Sequence, residues 1–286
     1  MIDIYAAVTD RIIAQLENGV IPWQKPWVGV GHQAAVSWEK GKPYSLLNQF
    51  LLGEPGEYIT FGQAKKAGGK VKKGAKSRII VFWKMLEKPV KDESGKPVMD
   101  KDGKPKMQTI PFLNYYSVFH IRDIEGVEPK RKTPELPNTA HPVESAEKVI
   151  CGYTGKYGIE LRHEQGDRAF YSPGTDSITL PLIAQFTETA EYYSTAFHEL
   201  THSTGHSSRL NRLEKAGFGS ELYSKEELVA EIGSASLMNE MGFETESSFR
   251  NSVAYIQNWL KVLRGDKKLI VSATSRAEKA VEMIIG

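Results

Sequence analysis

Residues 198–202 read His-Glu-Leu-Thr-His, a spacing with specific chemical content. On a helix, positions i and i+4 stack on one face, so His198 and His202 can offer two imidazole nitrogens to one metal ion. Glu199 then falls beside the metal, where a carboxylate can take the proton of a metal-activated water and pass it to a leaving group. That is a metallopeptidase arrangement, with Glu199 as the general base.

A catalytic site of this kind needs a third protein ligand and one open position. Gly205 fits the longer pattern H-E-x-x-H-x-x-G-x-x-H, but its third histidine would fall at Ser208, so that scheme fails. Three candidates remain. Glu231 ranks first, because Leu228, Ala235 and Met238 share its helical face and an acid in an apolar stripe calls for a partner. Glu227 ranks second, since Ser224-Lys-Glu-Glu227 reads as a capping box that occupies it structurally. His206 ranks third as a ligand, with a second candidate role as stabiliser of a developing oxyanion. Zinc is the first expectation, and manganese, iron or cobalt suit the same donors.

The surrounding pattern supplies elements to carry these residues. Ala190, Tyr193, Phe197 and Leu200 recur at helical spacing ahead of and within the motif, with Thr187 or Thr189 as N-cap. Phe170-Tyr171, a turn over 172–176, and a second strand over 177–180 ending at Pro181 predict a strand pair beside that helix. Such a strand would hold an extended peptide by backbone pairing. The small residues Gly233-Ser234-Ala235-Ser236 would let the Glu231 helix approach the His198 helix closely.

The 286 residues carry a net charge of +2 that conceals an asymmetry. Residues 1–125 hold 19 Lys+Arg against 13 Asp+Glu, and residues 126–286 hold 18 against 22. Residues 126–142 are rich in proline and polar side chains and read as a linker, which predicts two domains, 1–125 and 143–286. Within the first, Lys65, Lys66, Lys70, Lys72, Lys73, Lys76 and Arg78 follow one another with no acid between them, as a phosphate-tracking segment would. Trp23, Trp27 and Trp83 lie in the same region, and exposed aromatic faces interleaved with cations suit single-stranded nucleic acid. The competing interpretation makes the aromatics core and the lysines a solvated face. Around them we expect a helix over 4–18 ending at Gly19, a strand entering a helix that stops at Gly68-Gly69, and strands 79–83 and 112–119 flanking a hairpin insertion over 84–110.

No run approaches the ~18 apolar residues of a membrane span, and Met-Ile-Asp-Ile-Tyr has no signal-peptide character. The single cysteine, Cys151, cannot form an internal disulfide. A cytoplasmic protein without membrane partners is the expectation.

Asp3-Ile-Tyr-Ala-Ala-Val-Thr-Asp-Arg-Ile-Ile, Val20-Ile-Pro-Trp-Gln-Lys-Pro-Trp27, Thr60-Phe-Gly-Gln-Ala-Lys-Lys-Ala-Gly-Gly-Lys-Val-Lys-Lys-Gly74 and Val81-Phe-Trp-Lys84 resemble the N-terminal domain of ArdC-type antirestriction proteins. His198-Glu-Leu-Thr-His-Ser-Thr-Gly-His206, Arg209-Leu-Asn-Arg212 and Glu227-Leu-Val-Ala-Glu-Ile-Gly233 resemble the zincin-type domain of the same family. The resemblance spans nearly the whole chain. It implies an α+β protein of mobile DNA elements that binds single-stranded DNA with its first domain, holds a divalent metal in its second, and protects incoming DNA from host restriction. A restriction-related host protein is the implied peptidase substrate. In the alternative, the protein coats DNA and its metal site is structural.

Overall fold

The computed structural model describes residues 3–24, 34–92, 94–99, 101, 103–131, 142–186, 188–213, 221–243 and 253–286. It is an α+β chain. Helix α1 (Ile4–Glu17) is opened by Asp3, whose carboxylate accepts the amides of Tyr5 and Ala6, and buries Val8, Ile12, Ile13 and Leu16 at helical spacing. Strand β1 (Ala35–Ser37), helix α2 (Leu46–Leu52) and strand β2 (Gly56–Thr60) follow. Thr60 then caps α3 (Phe61–Lys66) through a capping box with Gln63, and Gly68 turns the chain away at φ 81°. Strand β3 (Lys70–Val71) leads to β4 (Arg78–Pro89) and β5 (Met107–His120), which form one long antiparallel ribbon paired from Arg78↔Val118 to Pro89↔Met107. These strands outrun the expected 79–83 and 112–119, because alternation past Trp83 is broken by exposed apolar residues such as Met85 and Ile110. The sheet order is β1-β2-β5-β4, and β6 (Ile124–Glu125) pairs with β3.

In the second half, α4 (Pro142–Tyr157) precedes a three-stranded sheet of β7 (Glu160–Glu164), β8 (Phe170–Ser172) and β9 (Ser177–Pro181), ordered β7-β9-β8. The expected strand, turn and strand over 170–181 are present. Helices α5 (Thr189–Ser203), α6 (Glu221–Met241), α7 (Val253–Gly265) and α8 (Leu269–Ile285) complete the chain. The N-cap of α5 is Glu188, so Thr189 is the first helical residue, and Thr187 lies outside the described residues.

The two halves share part of their core. One core cluster combines Ile12, Leu16, Trp23 and Phe50 from the first half with Leu228, Ile232, Trp259, Leu263 and Ile270 from the second. Trp23 sits edge-on to Trp259 at 6.4 Å between ring centroids. A second cluster joins α4, the β7-β9-β8 sheet, α5 and the far end of α6, with Tyr193, Phe197, Leu200, Leu237 and Met238 at its centre. Residues 126–131 of the expected linker are described and Arg131 is tied back to Glu57 at 2.8 Å, while 132–141 lie outside the described residues. No helix among the described residues is long and apolar enough to cross a membrane.

Candidate functional site

Helix α5 turns Tyr193, Ala196, Phe197 and Leu200 into the core, and the same periodicity sends His198 and His202 to the opposite side. Their Nε2 atoms lie 3.1 Å apart, with the ring planes at 79°. Helix α6 brings in Glu227, whose two carboxylate oxygens lie 3.5 Å from His198 Nε2 and 3.4 Å from His202 Nε2. Among the described residues this is the group of three that could hold a metal ion. The donor set suits a divalent cation: bonds of about 2.0–2.1 Å in a tetrahedron require donor–donor edges of about 3.3–3.4 Å, which these distances approach.

Glu231, first choice on sequence, is outside that group and stands one turn further along α6. Ser224 and Glu227 both lie within α6, and the Glu227 carboxylate is turned to the two histidines. The close approach of the two helices occurs as expected: a Cβ on Gly233 would meet Thr201 Cγ2 at 2.6 Å, and Ser234 Oγ donates to the Ser194 carbonyl at 2.7 Å.

His206 does not join the metal group and does not line the cleft around it. Its Nδ1 faces Ser208 Oγ at 2.7 Å and accepts the Ser208 amide at 3.2 Å, because the chain leaves the helix at Thr204 and turns. The oxyanion role assigned to it on sequence has no support in this geometry.

Around the ligands is a set of charges that the sequence did not single out. Glu226 Oε1 faces His202 Nδ1 at 3.3 Å, and Arg212 grips Glu226 with Nε and Nη2 at 2.9–3.2 Å. The other guanidinium contacts of Arg212 go to the Thr204 hydroxyl and the Thr201 carbonyl, at the C-terminal end of α5. A carboxylate behind a ligating imidazole fixes ring orientation and raises basicity. Arg209, also at that end, donates to the Ser203 carbonyl at 2.8 Å and pairs with Asp176 in the β8–β9 turn. The only sequence signal for these residues was their place in the Arg209-Leu-Asn-Arg212 and Glu226-Glu227 runs, which carries no geometry.

The field is acidic at the rings. Burial alone would lower the His202 pKa, but hydrogen bonds to Glu226 and Glu227 and the charge of Glu199 outweigh it and push it up to about 10. Burial works against the Glu227 charge too, yet hydrogen bonds from both histidines hold that carboxyl far below the usual carboxylate range. Glu199 is 7% exposed and lines the same cleft as the two rings. That cleft, about 720 Å³, is bordered by Phe170 and Tyr171 of β8, one of the two edge strands of its sheet.

The first half presents a different surface. Lys65, Lys66, Lys70, Lys72, Lys73 and Lys76 are all exposed, and Lys72 Nζ also donates to the Arg122 carbonyl at 2.7 Å. Arg78 is committed to the fold: it pairs with Glu54 and donates to the Tyr58 hydroxyl at 2.8 Å and the Leu52 carbonyl. Trp23 is fully buried against Phe50 and Trp259, so it offers no face to a base, and Trp27 lies outside the described residues. Trp83, in contrast, is 49% exposed. With Phe82 and Tyr116 it lines a cleft of about 590 Å³ that also holds Lys40, Lys42 and Lys84. These three lysines were missed on sequence because they are dispersed and only the sheet gathers them.

Family models match two segments: the N-terminal domain of the anti-restriction factor ArdC at residues 2–119, and a zincin-like metallopeptidase at 146–276. A DNA primase TraC of Escherichia coli is 37% identical over 292 residues, which is 98% of this chain and 20% of that protein. A second TraC primase is 38% identical over 97% of this chain and 26% of its own length, so the chain spans only about a fifth to a quarter of these relatives. An uncharacterized protein, y4eC, of Sinorhizobium fredii is 30% identical over 98% of this chain and 91% of its own length. Crystal structures of the antirestriction ArdC protein from the R388 plasmid superpose with a TM-score of 0.74. The metal-free form is 35% identical and the Mn(II)-bound form 33%, each covering 99% of this chain and 97% of the other. With likeness along both halves and at this identity, the chain belongs to the ArdC antirestriction family.

Proposed function

We propose that this protein is carried by mobile DNA elements, binds single-stranded DNA through its first half, and acts as a metal-dependent peptidase through its second, shielding incoming DNA from restriction. The observation that carries the peptidase reading is the convergence of His198, His202 and Glu227 at the edges expected of a tetrahedral donor set, with buried Glu199 in the same open cleft. These three residues would hold the ion, zinc being best matched to two imidazoles and a carboxylate. When bound, such an ion polarises a carbonyl and lowers the pKa of water.

The remaining work falls to the protein. The edge of β8 that carries no strand among the described residues pairs with an extended peptide and lays its scissile bond across the cleft. Glu199 accepts the proton of the attacking water and returns it to the leaving amine, a transfer worth about 10²–10⁴-fold in rate. Glu226, held by Arg212, keeps His202 in its ligating orientation. In the first half, Trp83, Phe82 and Tyr116 stack bases while Lys40, Lys42, Lys84 and the exposed 65–76 lysines contact phosphates.

Glu199→Gln tests this directly. It should retain bound metal and DNA affinity while losing both peptide cleavage and antirestriction in cells. Full protection by Glu199→Gln, together with protection by a folded His198→Ala variant, would leave DNA coating as the function and the metal as structural. The exposed aromatic cleft is the observation favouring that second reading.

A further inference from the structure

A third cleft, about 550 Å³, lies where the two halves meet. Trp83 belongs both to it and to the aromatic cleft of the first half. At its other end, Lys225 and Arg276 belong both to it and to the metal cleft. The three depressions therefore share walls in series, from the sheet aromatics to the catalytic carboxylates.

The middle cleft is cationic. Lys225, Lys268, Arg276 and Lys279 face a single acid, Asp266, which already pairs with Lys225 at 3.2 Å. Lys268, Ser272, Ser275, Arg276 and Lys279 recur at intervals of three, four and one along α8, so they form one exposed polar stripe down its outer face. Among the described residues no carboxylate pairs with Arg276 or Lys279. Apolar contact is supplied at the near end, where Tyr5 and Trp83 lie 6.4 Å apart and Lys268 Nζ stands 5.6 Å over the Tyr5 ring. Excess positive charge, hydroxyls and an aromatic pair are the components of a sequence-indifferent single-strand track.

We infer that the three clefts form one groove for a single nucleic acid strand, in which the α8 stripe is a phosphate-backbone site that leads a strand stacked on Trp83 to the rim of the metal centre. The inference rests on the single-strand binding proposed above. A protein attached to that strand is then presented to the β8 edge and Glu199, which selects DNA-bound polypeptides as the substrate class.

Full-length protein and its Lys268→Gln/Lys279→Gln variant, two exposed substitutions outside both the aromatic and the metal clefts, are titrated with oligothymidylates of roughly 6 to 30 nucleotides. This range runs from within the ~4–16 that one single-strand site takes to well beyond it. Wild-type affinity should rise with length past the short oligomers. The variant should match wild type on the shortest, bind the longest roughly 20-fold more weakly at 0.1 M salt, and lose about 1.4 from its log–log salt slope, the value for two phosphates at ~0.7 each. Equal affinity of the two proteins at every length overturns the groove while leaving single-strand binding intact. Absence of any oligothymidylate binding by wild type overturns both. Unchanged DNA binding with reduced antirestriction by the variant also overturns it, in favour of an acidic protein partner at α8.

Discussion

Replacing Gly233 with alanine probes the approach of α5 and α6 on which the metal group depends. The added Cβ would lie 2.6 Å from Thr201 Cγ2 and 2.7 Å from its Oγ1. Thr201 cannot swing aside, because it is fully buried and its hydroxyl donates to the Phe197 carbonyl at 2.8 Å. Restoring an ordinary 3.4 Å contact takes about 0.8 Å of helix separation, since interiors this densely packed transmit strain. Overpacking costs about 1–3 kcal/mol and the gain in helix propensity returns about 1, leaving a net loss of about 0–2 kcal/mol. The larger effect falls on the metal. Glu227 is six residues, about 9 Å, along α6 from Gly233, and His202 adjoins Thr201 on α5. Metal–ligand distances tolerate only about ±0.2 Å, so affinity should fall about 10–100-fold, the size of a disturbed supporting shell. Competition titration with a chromogenic chelator reads the affinity, and melting of the metal-free protein reads the stability. Thr201→Ala in the same molecule removes the clashing atoms and should restore binding. Wild-type metal affinity in Gly233→Ala, with a melting temperature raised by the propensity gain alone, would refute the idea that this contact sets the ligand geometry.

Other consequences follow from the same coordinates. Glu226→Gln removes the charge that joins Arg212 to His202, and should weaken metal binding about 10–100-fold without unfolding the protein, as read by chelator competition and circular dichroism. Because His202 in the metal-free protein titrates near 10, an ion must displace its proton at neutral pH, so affinity should climb about tenfold per pH unit from 6.5 towards 10; a flat profile would contradict this. In the metal-free protein, stability gained from His202 is complete below 6.5 and lost as pH rises through about 10. That from Glu227 is present above its unfolded pKa near 4.5 and is lost only as pH falls well below it, so melting temperature should peak between those limits. Phe82→Ala and Tyr116→Ala should each weaken oligothymidylate binding by about 1–3 kcal/mol, whereas Trp23→Phe should leave it unchanged and lower the melting temperature.

What could be read from the sequence follows the range of the interactions concerned. His198, Glu199 and His202 are fixed by i, i+1 and i+4 on one helix, and the strand pair at 170–181 by local alternation and a turn, so both were legible. The third ligand depended on where α6 begins. With Ser224 inside α6, Glu227 is placed to face the histidines as a candidate ligand, and no signal within the Ser224–Glu227 run announces this. Trp23 and Trp83 have similar neighbourhoods in sequence, yet one is buried by Trp259, more than two hundred residues away, and the other faces outward from β4. Arg78 closes a basic run but is drawn off by Glu54 and Tyr58 from neighbouring elements. That the halves share a core was not legible around residues 126–142 either, because the apolar contacts that join them are long-range pairs that composition does not reveal.

The shared core changes how DNA binding and metal chemistry can cooperate. Where two modules are joined only by a free tether, a strand site on one raises the concentration of a target near the other only to the degree that linker length allows. Instead α6 belongs to both cores at once, with Leu228, Val229 and Ile232 packed among the residues of α1 and α2, and Leu237 and Met238 among those of α5 and α8. The same helix presents Glu226 and Glu227 to the histidines, immediately ahead of the first of those two contacts. Rigid packing on this scale leaves orientation, not linker length, to determine which bound polypeptide reaches the cleft. On the proposed groove, a strand lying along α8 would meet the candidate metal site from one fixed side, and a target held there would arrive with its chain direction already set relative to β8.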